Sequence, residues 1–208
     1  MGDHLLPLPL TNRSVHICVD MQRIFYAEGP WPTPWTERVM PIGTALVERH
    51  PERTVFTRFI PPERPDYMPG MWQRYYTRWR IATRERLDPE LLELMPQLSA
   101  LCPPASVIDK TRYSGFAEPN LLTHLRERDA DALIISGSET DVCVLATVLD
   151  AVDLGYRVIV VRDAVCSSSD EGHEMLLRLY HTRFTEQIET AMPQRSYRAG
   201  NKERRRLS

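Results

Sequence analysis

Ala132-Leu133-Ile134-Ile135-Ser136-Gly137 runs straight into Ser138-Glu139-Thr140-Asp141-Val142-Cys143-Val144-Leu145-Ala146-Thr147. The opening residues are a short apolar run that reads as a buried strand. The stretch from Asp141 to Leu154 reads as a helix, with Gly155 as its stop. A buried strand entering a helix through a tight turn is half of a βαβ unit, so a parallel sheet is expected. A cysteine at this junction sits near unpaired backbone N–H groups and the positive end of the helix dipole. That setting favours thiolate over thiol and makes Cys143 a candidate nucleophile.

The alternation extends both ways. Strand-like runs are expected at Ser14–Asp20, Arg53–Phe59, Ser106–Asp109, Ala132–Gly137, Arg157–Asp163 and Thr185–Glu189. Helical segments are expected over Pro34–His50, Asp88–Leu101, Glu118–Arg128, Asp141–Leu154 and Asp170–Phe184. In the last of these, Met175, Leu176, Leu179 and Tyr180 fall at helical spacing and read as core. The continuously apolar Val158-Ile159-Val160-Val161 suits a central strand covered on both faces. The expected fold is α/β: a three-layer α/β/α sandwich around a mostly parallel six-stranded, Rossmann-like sheet. Residues 60–87 interrupt the pattern, being rich in proline, tryptophan, tyrosine and arginine, with a short helix expected near Met71–Arg80. A connection of that length is usually functional or an interface. No repeat or linker divides the chain, so one domain over 1–208 is expected, with a core of about 14–190 and a basic tail at about 199–208.

A net charge of −2 over 208 residues gives no electrostatic reason to expect nucleic acid or an anionic membrane as a partner. Cys18, Cys102, Cys143 and Cys166 are too scattered for a disulfide framework and lack zinc-knuckle spacing. Cys18 and Cys166 read as small buried hydrophobes. Neither a signal-peptide pattern nor a membrane-spanning run is visible, which implies a reducing, cytoplasmic setting.

Ligands of open parallel sheets bind beyond the carboxyl ends of the strands. Asp20 closes the first expected strand, Lys110 follows the third, and Cys143 lies just past the fourth. Singly, each has an ordinary explanation as a turn cap, a solvated cation or a packed thiol. Together they offer a carboxylate to accept a proton, a lysine to hold charge and a thiol to attack.

On these residues the chain resembles the isochorismatase-like cysteine hydrolase superfamily. That group includes isochorismatase, nicotinamidase, N-carbamoylsarcosine amidase, ureidoacrylate amidase and biuret hydrolase. The blocks that carry the resemblance are Val19-Asp20-Met21-Gln22 with Phe25, Asp109-Lys110 with Tyr113-Ser114 and Phe116, and Gly137 through Gly155-Tyr156. Val158 to Val161, Asp163-Ala164 and Ser167 follow in family order. The resemblance implies Cys143 as nucleophile, Asp20 as general base and Lys110 as the third member of a triad. It also implies a non-proline cis peptide at Ser138–Glu139, with the Glu139 and Cys143 N–H groups forming an oxyanion hole.

Nicotinamidases of this superfamily carry a metal on an aspartate and histidines after the second strand. Here that stretch is Phe56-Thr57-Arg58-Phe59-Ile60-Pro61-Pro62 and contains no histidine, so no metal and no cofactor are expected. Arg58 reads either as a contact for a substrate carboxylate or carbonyl, or as an ion pair with Glu63 or Asp66. Phe25, Trp72, Tyr76 and Tyr113 read as walls of a small pocket or as core and interface. Gln22 reads as orienting substrate or Asp20, or as serving the loop backbone. The expected activity is cleavage of a C–N bond in a small amide or carbamoyl/ureido compound through a thioester. The alternatives are vinyl-ether hydrolysis of the isochorismatase type and a non-catalytic binding protein that keeps the fold. A small-molecule substrate is the expected partner, and the resemblance implies a homo-oligomer, dimer or larger.

Overall fold

The computed structural model of the chain describes residues 8–192; the basic stretch at 199–208 lies outside them. Six strands form one sheet: β1 (Val15–Val19), β2 (Thr54–Phe59), β3 (Ser106–Lys110), β4 (Ala132–Ser138), β5 (Arg157–Cys166) and β6 (Ile188–Ala191). Their order is β3-β2-β1-β4-β5-β6 and every pairing is parallel. The helices are α1 (Thr36–Arg49), α2 (Met71–Arg78), α3 (Pro96–Ser99), α4 (Pro119–Glu127), α5 (Leu145–Asp153) and α6 (Asp170–Arg183).

The period-two geometry of the strands divides the core between two faces. Val15, Ile17 and Val19 of β1 point to the side where Leu121 and Leu125 of α4, Val148 and Ala151 of α5, and Leu176, Leu177 and Tyr180 of α6 pack. Cys18 of β1 and Phe56 of β2 point to the opposite side, against Val39, Met40 and Val47 of α1 and Leu98 of α3. The three layers expected from the sequence are therefore present. Burial pushes the Cys18 thiol up to about 12 and the Cys166 thiol up to about 11, as befits packed and inert cysteines.

Three elements depart from the sequence reading. The helix expected over Asp88–Leu101 is two short pieces, a 3-10 turn at Pro89–Leu92 and α3. Pro96 disfavours a helical Met95, and Leu94 instead forms an antiparallel bridge with Gln22. The sixth strand begins only at Ile188, because Gln187 and Ile188 donate their N–H groups to Phe184 O and finish the turn after α6. The buried face of α6 is His173, Leu176, Leu177 and Tyr180, whereas Met175 and Leu179 are exposed. Helical spacing fixed the periodicity there but not its phase.

Residues 60–87 close on themselves. The N–H groups of Arg84 and Glu85 donate to Pro62 O and Glu63 O at 3.0 and 3.1 Å, and Arg84 Nε donates to Pro61 O. The loop between these ends carries α2 and a cluster of aromatic rings. Among the described residues no helix is long and apolar enough to cross a membrane.

Candidate active site

Strand order reverses between β1 and β4, which places the cleft of the sheet beside the carboxyl end of β1. Asp20 leaves β1 there with φ of 48°, and Thr57 of β2 donates its hydroxyl to Asp20 Oδ1 at 2.6 Å. Gly137 of β4 stands opposite Val19 with φ of 115°. A Cβ at Gly137 would lie 2.0 Å from Val19 O, so only glycine lets the two strands approach closely enough to bring the Ser138–Glu139 turn beside Asp20. The Ser138–Glu139 peptide is cis. The chain then makes one π-type turn at Thr140–Val144, which carries Cys143, before α5 begins.

Lys110 starts two strands away, at the end of β3. Two strand spacings are about 9–10 Å, a distance that a long, unbranched side chain can cross with help from its partner. It does so past the Phe59 ring, whose centroid lies 5.1 Å from Nζ, and ends 2.6 Å from Asp20 Oδ2. The ammonium also donates to Arg112 O and Tyr113 O at 2.9 Å each, so its charge is held from both sides. Asp20, Lys110 and Cys143 are 0%, 1% and 4% exposed, which makes this a closed site. Burial pushes the Cys143 thiol well up; the Asp20 carboxylate and hydrogen bond reinforce the shift, and Lys110 only partly opposes it. The resting group is therefore the thiol, contrary to the thiolate that the helix dipole alone favours. Desolvation outweighs the dipole once the site is covered.

An aromatic cluster adjoins the site through Tyr113 and Phe59. Trp72 of α2 lies 4.9 Å from Tyr113, 5.6 Å from Tyr75 and 6.1 Å from Tyr76, ring centroid to centroid. Trp31 joins Tyr75 to Phe25, Phe59 and Trp79 at 5.8 to 6.2 Å. The Tyr75, Tyr76 and Tyr113 phenols are pushed up, in each case first by burial. Glu139 turns its side chain to Ser168, whose N–H donates to Oε1 at 3.2 Å. Burial pushes the Glu139 carboxyl up as well.

Tyr113 packs against the cluster that holds Cys143 and carries Trp72 on its ring, while Phe25 packs with Ile24, Phe59 and Leu87. Gln22 serves the backbone: its amide donates to Phe59 O and Leu92 O and accepts from Phe59 N–H. Arg58 points away from the site. Its guanidinium donates to both oxygens of Asp109, its neighbour across β3, at 2.8 and 3.0 Å, and to Glu93 at 2.8 Å. Neither Glu63 nor Asp66 is its partner, and the group is not available to a substrate. Strand parity explains this, since Thr57 faces Asp20 and the next residue must face the other side. Sequence reasoning missed Trp31, Tyr75, Arg112 and the Glu139 side chain; the aromatic density of residues 60–87 was the one signal for the aromatic cluster.

The metal position of the nicotinamidases is not reproduced by the residues present. Among the described residues no group of three His, Cys, Asp or Glu side chains is placed to hold a metal ion. A surface groove of about 440 Å³ runs along α1, between Glu37 and Glu48 on one side and Met95 and Gln97 on the other. It includes none of Asp20, Lys110 and Cys143.

A parallel six-stranded sheet with helices on both sides and these residues at its switch point is the architecture of the isochorismatase-like hydrolases. The chain belongs to the isochorismatase family: the family model described as the Isochorismatase domain matches residues 14–192. Among solved structures, a cysteine hydrolase from Pseudomonas syringae pv. phaseolicola is 27% identical with a TM-score of 0.78, over 95% of this chain and 97% of that one. A nicotinamidase/pyrazinamidase, PncA from Bacillus subtilis, is 28% identical with a TM-score of 0.71, over 86% and 98%. The ureidoacrylate amidohydrolase RutB of Variovorax paradoxus is 41% identical over 78 residues, 37% of this chain and 29% of its own length. Other curated relatives are matched over 38%, 60% and 40% of their length, so the chain spans less than two thirds of each.

Proposed function

We propose that the chain is a metal-independent cysteine hydrolase that cleaves the C–N bond of a small amide or carbamoyl/ureido compound through a thioester. The observation that carries this is the buried contact of Asp20 with Lys110 beside Cys143, on the edge of the sheet where ligands of this fold bind. Similarity to proteins named as amidohydrolase and nicotinamidase supports the same reaction class.

In this reading Asp20 accepts the Cys143 proton once substrate is bound, and Lys110 balances the charge that results. Sγ attacks the carbonyl carbon, and the N–H groups of Glu139 and Cys143 receive the oxyanion. The C–N bond breaks as the proton on Asp20 passes to the leaving nitrogen. Asp20 then takes a proton from water, the hydroxide displaces sulfur from the acyl carbon, and the proton returns to Sγ. Partner and compartment are part of the same proposal: a small-molecule substrate, a homo-oligomer and a cytoplasmic setting.

Ammonia release over a panel of small amides and ureides, with intact mass of the trapped acyl-enzyme, tests the chemistry. Cys143→Ala is expected to lose at least about a thousandfold in turnover while keeping its circular dichroism and melting profile. A fully active Cys143→Ala enzyme would sink the nucleophile assignment, and activity of that variant on isochorismate would favour vinyl-ether hydrolysis.

A further inference from the structure

We propose that the segment from Ser167 to His173, between β5 and the first turn of α6, positions the two amides that receive the oxyanion, with His173 as a positioning residue that acts through Thr140. This rests on the hydrolase reading above and adds a positioning device to it.

Glu139, Thr140 and Asp141 open the turn that carries Cys143, and the side chain of each is fastened to this one segment. Glu139 accepts from the Ser168 N–H at 3.2 Å. Thr140 Oγ1 lies 2.9 Å from His173 Nδ1. Asp141 Oδ1 accepts from the Ser167 hydroxyl at 2.5 Å, and a Cβ at Gly172 would lie 2.1 Å from the other Asp141 oxygen. The segment is itself held in shape. The Ser169 N–H donates to Ser167 Oγ, the Gly172 N–H to Ser169 Oγ, and the His173 N–H to Ser169 O. The turn is tied separately by its own backbone, through the Val142 and Val144 N–H groups on Glu139 O.

Among these three ties, only Thr140 and His173 are buried at both ends, at 0% and 4% exposure. A buried hydrogen bond has no water to replace it, so losing one partner leaves the other unpaired. The His173 ring also meets the Trp35 ring, 5.1 Å between centroids at 62°, which limits how far the imidazole can shift. Thr140 stands between Glu139 and Cys143 in the chain, so a displaced Thr140 moves both amides. Such donors work only when held within about 0.5 Å of the productive geometry. They act on charge that develops in the transition state, so the loss is expected in kcat rather than KM.

Thr140→Val and His173→Phe remove the hydrogen bond with little change of shape. Thr140→Ser and His173→Asn keep a polar atom in the same place. On the most active compound of the amide and ureide panel, the first two are expected to lower kcat about tenfold or more with KM within about twofold, and the second two to recover most of the loss. The double variant Thr140→Val/His173→Phe is expected to lose no more than either single one, because the two residues act as a pair. It also leaves no buried polar atom of the pair unmatched, so it carries the test if a single variant fails to fold. Butyraldehyde gives a readout without amide turnover. Sγ adds to the aldehyde carbon, the thiol proton passes by way of Asp20 to the new oxygen, and the adduct shields Cys143 from iodoacetamide. That protection is expected to weaken about tenfold in Thr140→Val and His173→Phe. An unchanged kcat in these two variants overturns the proposal and leaves the hydrolase reading standing. So does a loss that Thr140→Ser and His173→Asn share in full, or one that falls on KM as much as on kcat. If no amide is turned over, protection that weakens in Thr140→Val and His173→Phe supports the positioning role and tells against the hydrolase reading. Protection that does not weaken, or no protection at all, overturns the positioning role.

Discussion

Cys143 gains its position from a strand-to-helix junction and its protonation state from what covers it. The same sulfur in an open turn would draw on the helix dipole; buried here, its pKa is raised instead. The resting enzyme is therefore expected to react with iodoacetamide slowly at neutral pH. Its rate should rise about tenfold per pH unit to at least pH 9 without a plateau, because the thiolate fraction is still growing. A plateau near neutrality, read by mass spectrometry of the Cys143 peptide, would contradict a buried thiol. Two arginines show what was legible at this scale and what was not. Arg58 drew notice as a cation after a strand, yet parity turns it to Asp109. Arg112 lies in a loop, where neither period nor parity gives direction, so its placement over Trp72 had to come from the folded chain.

At the scale of elements, the site is made by the close approach of β1 and β4 and by the loop that carries α2. The approach depends on Gly137. Replacing it with alanine puts a methyl group against Val19 O and a side chain at a left-handed φ, so Gly137→Ala is expected to destabilise the protein by about 3 kcal/mol or more. Chemical denaturation measures this, and a loss under 1 kcal/mol would mean that the strands separate cheaply. The strands were legible because each is a compact apolar run bounded by turn residues. The shared placement of Asp20, Lys110 and Cys143 was legible because the parallel topology sends all three to one edge. The Asp88–Leu101 segment was misread because a proline at position 96 permits both a new helix start and a break. The packing of α2 was invisible, since its rings are held by residues from four separate parts of the chain.

For the molecule as a whole, stability should depend on acid through a group far from the chemistry. His16 is buried in β1, with Nε2 2.8 Å from Ser136 Oγ, and burial pulls its pKa down to about 4. The unfolded chain binds a proton on this histidine from about pH 6.5 downward, while the folded one does so only near 4. Stability from this group is intact above pH 6.5 and is lost as the pH falls through that window, by about 3 kcal/mol in total. Urea midpoints across that range in wild type and in His16→Asn should diverge, with the variant the flatter of the two; parallel curves would remove His16 as the cause.

The closure of the site bears on survival as much as on catalysis. Peroxide attacks thiolates that it can reach, and in the unliganded enzyme Cys143 is neither ionised nor reachable. Oxidants should therefore damage Cys143 more slowly than they would an exposed, ionised cysteine.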